Sequence, residues 1–145
     1  MKGHERDIQA RILVVDPEEW CRSFLSSVIK LLGFEELKLV NTVAEALAAL
    51  DEAVFDLVIT DQRQPDYQRL LEAARLRHPE TRFIVMLQQR SQQIVYMEQV
   101  DIVYKPLTMD EMSRKIRYAL HQKQLRHAEE EFKRMKKEAL RMFLG

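Results

Sequence analysis

Five short apolar runs, separated by stretches of helical periodicity, constrain this chain more than any other feature. They are Ile12-Leu13-Val14-Val15, Leu37-Lys38-Leu39-Val40, Phe55 to Thr60, Arg82 to Leu87 and Val100 to Tyr104. Most are continuous rather than alternating and rich in β-branched residues, which suits strands buried on both faces, as in a parallel sheet. Between them lie helix signals. Asp16 before Pro17 predicts a helix start, with Asp16 as its cap. Trp20, Phe24, Leu25, Val28, Ile29, Leu31 and Leu32 recur at helical spacing, and Gly33 predicts the end. Thr42 and Glu45 form a capping box that opens a helix through Ala46, Leu47 and Leu50. Tyr67 to Arg77 reads as a helix broken by His78-Pro79, and Gln88 to Glu98 as one short helix. Thr108 and Glu111 form a second capping box before a final helix. Strands alternating with helices over short connections predict an α/β domain, a doubly wound parallel sheet with helices on both faces.

Composition supports this and excludes other classes. Hydrophobic residues make up 46% and charged residues 32% of 145, enough for a packed core. Only 3 Gly and 4 Pro argue against a turn-rich sandwich or barrel. Lys and Arg (23) balance Asp and Glu (23), so no basic field points to nucleic acid. Cys21 is the single cysteine, and His4, His78, His121 and His127 are scattered without metal spacing. No apolar run approaches the roughly 20 residues of a membrane span. Met1 to Asp7 is charged and lacks the apolar stretch of a signal peptide. A cytoplasmic protein without membrane or nucleic-acid partners is expected. Residues 1–120 hold 16 basic and 19 acidic residues, residues 121–145 hold 7 and 4. The shift sets expected boundaries: a tail over 1–10, a domain over 11–120 and a helical extension over 121–145.

Ligands of open parallel sheets gather beyond the carboxyl ends of the strands. Those ends carry Asp16, Asp61, Gln88 and Lys105. A carboxylate there can act as a nucleophile toward phosphorus and form an acyl phosphate. A neighbouring acid can hold a magnesium ion, and a lysine can stabilise phosphoryl charge. Each residue alone has a plainer reading, since Asp after a strand often only caps a helix and Lys-Pro often only turns the chain. Three on one rim point to a site.

At these residues the chain resembles the receiver domains of bacterial two-component response regulators. The matching stretches are ILVVD (12–16), DLVITDQRQPD (56–66) and VYKPLT (103–108), and the likeness spans about residues 10–120. The 45 residues from Asp16 to Asp61 and Pro65, four after Asp61, fit the family's pattern. The resemblance implies a flavodoxin-like fold, a five-stranded parallel sheet flanked by five helices. It implies Asp61 as phospho-acceptor, Lys105 as phosphoryl contact, and Asp16 with Asp61 as magnesium ligands. It implies a histidine kinase or phosphotransfer protein as partner, in a protein that is a signalling switch and not an enzyme. The departures are specific. The second acid of the family's acidic pair is Pro17 here, with Glu18 or Glu19 as substitutes, so magnesium is expected to be held weakly or not at all. The switch hydroxyl after the fourth strand is Gln88, the switch aromatic is Ile102, and the glycine eight after the acceptor is Arg69. Two functions stay open: a phosphorelay receiver accepting a phosphoryl group on Asp61, or a pseudo-receiver acting as a phosphorylation-independent dimerisation or interaction module. A dehalogenase-type phosphatase would want an acid where Arg63 stands. A flavodoxin-like cofactor binder would want a phosphate-cradling loop where Asp16-Pro17-Glu18-Glu19 stands.

From Thr108 no Gly or Pro interrupts the chain before Gly145. Met109, Met112, Ile116 and Ala119 form a stripe expected to face the domain core. Leu125, Ala128, Phe132, Met135, Ala139 and Met142 follow at alternating spacings of 3 and 4, a coiled-coil seam. The expected partner is a second copy, forming a parallel homodimer through this helix; an output domain beyond Gly145 is the other way to use it.

Overall fold

The computed structural model describes residues 10–88 and 100–144, without the side chains at 122–127 and 144. The elements run β1 (Arg11–Val15), α1 (Glu19–Leu31), β2 (Glu36–Val40), α2 (Val43–Glu52), β3 (Leu57–Asp61), α3 (Tyr67–Arg77), β4 (Arg82–Leu87), β5 (Val100–Tyr104) and α4 (Met109–Leu144). All strand pairs are parallel and the order is β2-β1-β3-β4-β5. The chain leaves β1 toward β2 on one side and returns past β1 to β3, so the switch point lies between the ends of β1 and β3.

Strand alternation sorts the core into two layers. Ile12, Val14, Leu57, Ile59, Ile84, Met86 and Val103 face α1 and α4, meeting Cys21, Leu25, Val28, Ile29, Met112, Ile116 and Ala119. Leu13, Val15, Val58, Phe83, Val85 and Leu87 face α2 and α3, meeting Val43, Ala46, Ala49, Leu70, Leu71 and Ala74. β1, β3 and β4 are buried on both sides, which is why their sequences read as continuous apolar runs. β2, at the edge, is largely exposed.

Most expected elements stand, and the differences are local. Asp16 does not cap α1. The helix begins at Glu19 with Glu18 in the cap position, and Asp16 Oδ1 instead accepts from the Glu18 amide at 2.8 Å. Within α1 the inward face takes Cys21, whereas Trp20 is half-exposed and Leu31 exposed. The Thr42 capping box forms, but Glu45 returns its bond to the Asn41 amide, one residue early. Gly33 ends α1 at a positive φ of 97°, which glycine adopts without strain. Four helices are present among the described residues; the short helix expected over 88–98 lies outside them except for Gln88. In α4 the inward stripe is Met112, Ile116, Ala119 and Leu120; Met109, expected inward, is exposed. The helix continues for 36 residues. Beyond residue 127, Ala128, Phe132, Met135, Ala139 and Met142 are all exposed. Phe143, which the expected seam omits, lies on the same face as Phe132, three turns on, and is exposed as well. The seam residue Leu125 falls among the undescribed side chains.

Candidate functional site

The sheet delivers its charged residues to one rim. Asp61 is the last residue of β3, Asp16 follows β1, and Lys105 follows β5. All three are buried. Lys105 reaches past the end of β4 to bond Asp61 Oδ2 at 2.5 Å and Asp16 Oδ2 at 3.0 Å. It also bonds Glu18 Oε1 at 3.2 Å. Of Glu18 and Glu19, Glu18 is the one that lies in this cluster. The two-residue delay of α1 leaves Glu18 turned onto the rim, while Glu19 is exposed in the first turn. Asp16, Glu18 and Asp61 each bring an oxygen within 4.8 Å of the others.

Arg63 closes the group from outside. Its amide donates to Asp61 Oδ1 at 2.7 Å, and its Nη2 bonds Asp61 Oδ2 at 3.0 Å and Glu18 Oε1 at 2.5 Å. Trp20 adds its indole N–H to Glu18 Oε2 at 2.9 Å, and its ring centroid lies 5.6 Å from the Lys105 ammonium, a cation–π distance. Arg63 did not stand out in the sequence as part of the site; Trp20 did, as a partly buried packing residue placed near the acidic rim, and it is half-exposed there. Trp20 lies one turn beyond the Asp16 strand end, and Arg63 two residues beyond Asp61, within reach of any group built there. Gln64 Nε2 donates to the Asn41 carbonyl at 2.6 Å, tying this loop to the end of β2. Gln88 sits half-buried just after β4, and Ile102 is half-buried and packs against the layer facing α2 and α3.

These contacts set the protonation states. Burial pushes the Asp61 carboxyl up, but Arg63 and Lys105 outweigh it and hold the group below its ordinary value. The Trp20, Arg63 and Lys105 bonds bring Glu18 down to about 2. Burial works against the Lys105 ammonium, yet Asp61 and Asp16 hold its pKa above the usual lysine value. Cys21, buried beside the site and near Asp16, is pushed up to about 12 and is an inert thiol. At neutral pH Glu18 and Asp61 are ionised and face the Lys105 and Arg63 cations.

Three carboxylate oxygens at this separation are a hard-oxygen donor set of the kind magnesium takes, and they fit that ion. Bound there, it would screen the charge of an incoming phosphoryl group. A carboxylate fixed at a strand end with an ammonium beside it, as Asp61 is with Lys105, is chemically able to attack phosphorus while the lysine pairs with a phosphoryl oxygen.

Removing the central cation leaves buried charge unpaired. Lys105→Met is expected to lower stability at neutral pH by about 3–5 kcal/mol, read as a lower urea midpoint. Glu18 and Asp61 have lowered pKa values in the folded state. Their stabilisation is complete above pH 4.5 and is lost as pH falls toward 2, so the gap between the variant and the unmodified protein should narrow in acid. An unchanged midpoint at neutral pH would show that the ammonium does not hold the rim together.

Residues 12–117 match the response regulator receiver domain family. Comparison with curated protein sequences gave no match. Solved structures agree in fold. A response regulator receiver domain protein from Clostridium thermocellum aligns with a TM-score of 0.71 at 25% identity, covering 80% of this chain and 98% of that one. A response regulator receiver protein from Sinorhizobium medicae aligns at 0.70 and 22%, covering 79% and 97%. NtrX from Brucella abortus aligns at 0.73 and 23%, covering 86% of this chain but only 29% of its own. The parallel sheet in the order 2-1-3-4-5, the acids and lysine at its strand ends, and the match over most of the chain place this protein in the response regulator receiver domain family of two-component systems.

Proposed function

We propose that this chain is a phosphoryl-accepting receiver that turns over no substrate of its own. The observation that carries the reading is the convergence of Asp16, Glu18 and Asp61 on Lys105 at the switch point of the sheet. An Asp61 carboxylate oxygen attacks the phosphorus of a phosphohistidine on a kinase or phosphotransfer protein. The O–P bond forms, the P–N bond breaks, and the imidazole leaves with the electron pair of that bond and takes up a proton. Asp16, Glu18 and Asp61 are the residues to hold magnesium. The reading also sets the protein in the cytoplasm, where such kinases present their phosphohistidine; among the described residues no helix is long and apolar enough to cross a membrane.

A route outward is short. Lys105 is separated from the first residue of α4 by three residues, 106–108, and Thr108 Oγ1 accepts from the Glu111 amide at 3.2 Å to cap that helix. Lys115 of α4 bonds Asp101 of β5 at 2.9 Å. A change at Lys105 therefore acts directly on the start of α4, whose far half carries the exposed stripe of Phe132, Met135, Met142 and Phe143. We take that stripe as a seam for a second copy, giving a parallel homodimer through the helix.

One observation favours a second reading. Both oxygens of Asp61 are already paired with Arg63 and Lys105, as suits a module that works without phosphorylation. Intact-protein mass spectrometry after incubation with magnesium and a small-molecule phosphodonor separates the two. A gain of one phosphoryl group, absent in Asp61→Asn, is expected; no gain in a folded protein would favour the phosphorylation-independent module. Truncation after His121 should convert a dimer to a monomer by light scattering. A dimer that persists would place the interface on the domain body.

A further inference from the structure

Arg63 bonds the same Asp61 and Glu18 carboxylates that a divalent cation would have to use. Each carboxylate oxygen accepts about two hydrogen bonds. Asp61 Oδ1 receives the Arg63 amide at 2.7 Å and Arg63 Nε at 3.3 Å. Asp61 Oδ2 receives Lys105 Nζ at 2.5 Å and Arg63 Nη2 at 3.0 Å. Glu18 Oε1 receives Arg63 Nη2 at 2.5 Å and Lys105 Nζ at 3.2 Å. The two acids contributed by the Asp61 and Glu18 positions thus face the rim with these oxygens saturated by internal cations.

The two cations are not equally removable. The Lys105 side chain is 7% exposed and anchored on Asp16 as well. The Arg63 side chain is 45% exposed, on a loop whose backbone is held by Gln64 and the Asp61 contact, so the guanidinium can swing away without moving the loop.

We propose that Arg63 is a built-in counter-cation that competes with a divalent cation for Asp61 and Glu18 and thereby sets the metal affinity of the site. The inference rests on the reading of Asp16, Glu18 and Asp61 as the cation site. With Arg63 latched, the rim is close to charge balance, and a magnesium ion gains only what it adds over the guanidinium. With Arg63 gone, three carboxylates face one ammonium, and the ion meets free oxygen lone pairs.

Calorimetric titration of magnesium chloride into the full chain, beside Arg63→Ala and Arg63→Gln, tests this. Trp20, the only tryptophan, gives a parallel fluorescence readout because its indole is bonded to Glu18. Arg22→Gln is the charge control, since Arg22 bonds the Asp16 carbonyl rather than a carboxylate. Circular dichroism confirms folding, and the two Arg63 variants guard against a failure of either one. The expected result is magnesium binding at least about tenfold tighter in both Arg63 variants and a much smaller change in Arg22→Gln. Equal or weaker binding without Arg63, no binding in any form, or equal tightening in Arg22→Gln would overturn it. Phosphorylation is scored separately. A phosphoryl gain on Asp61 with no effect of Arg63 on magnesium defeats the inference and leaves the receiver reading intact. Tighter magnesium binding in the variants with no phosphoryl gain in any form does the reverse.

Discussion

One buried ammonium holds the functional end of this molecule together. Lys105, sent from the end of β5, bonds the acids at the ends of β1 and β3 and the glutamate before α1. Without it, Arg63 would still pair Asp61 and Glu18, but the buried side chain of Asp16 would lose its cation beside them. Burying these charges is a cost that paired geometry only offsets, so the cluster is weak grounds for stability and better grounds for a task. The rest of the fold serves to hold the strand ends in place. The sheet order puts β1 beside β3, and the two apolar layers bury residues 12–15 of β1 and all of β3.

The same construction ties the charge cluster to the last helix. Lys105 follows β5 directly, and the next helix is capped at Thr108 and pinned to β5 by Lys115. Met112, Ile116 and Ala119 bind the first half of that helix to the sheet, while its second half projects with its apolar residues exposed. A helix packed at one end and bare at the other can carry a displacement from the strand ends to a partner.

Much of this was legible in the sequence because parallel strands buried on both faces write themselves as continuous apolar runs. β4, β5 and α3 fall where the runs and breakers place them, and Asp61, Asp16 and Lys105 follow from asking what stands at the strand ends. The rest needed three dimensions. Pro17 after Asp16 signals a helix start, yet α1 begins two residues later; that delay decides that Glu18 and not Glu19 joins the rim. Arg63 was legible only as the wrong residue for another chemistry, because a long side chain on a loop gives no periodic signal of where its guanidinium lands. Met109 was assigned inward by helical spacing, but it is the first residue of α4 and exposed, and the inward stripe starts at Met112. Gly33 and the Thr42 capping box were read correctly because their chemistry is local.

The central claim is that Asp61 is the nucleophile this charge cluster is built around. The most direct measurement is borohydride reduction of the phosphodonor-treated protein, followed by peptide sequencing by tandem mass spectrometry. An acyl phosphate on an aspartate is reduced to homoserine with release of phosphate. The account predicts homoserine at position 61 and at no other aspartate. Homoserine elsewhere, or none in a folded protein, would contradict it.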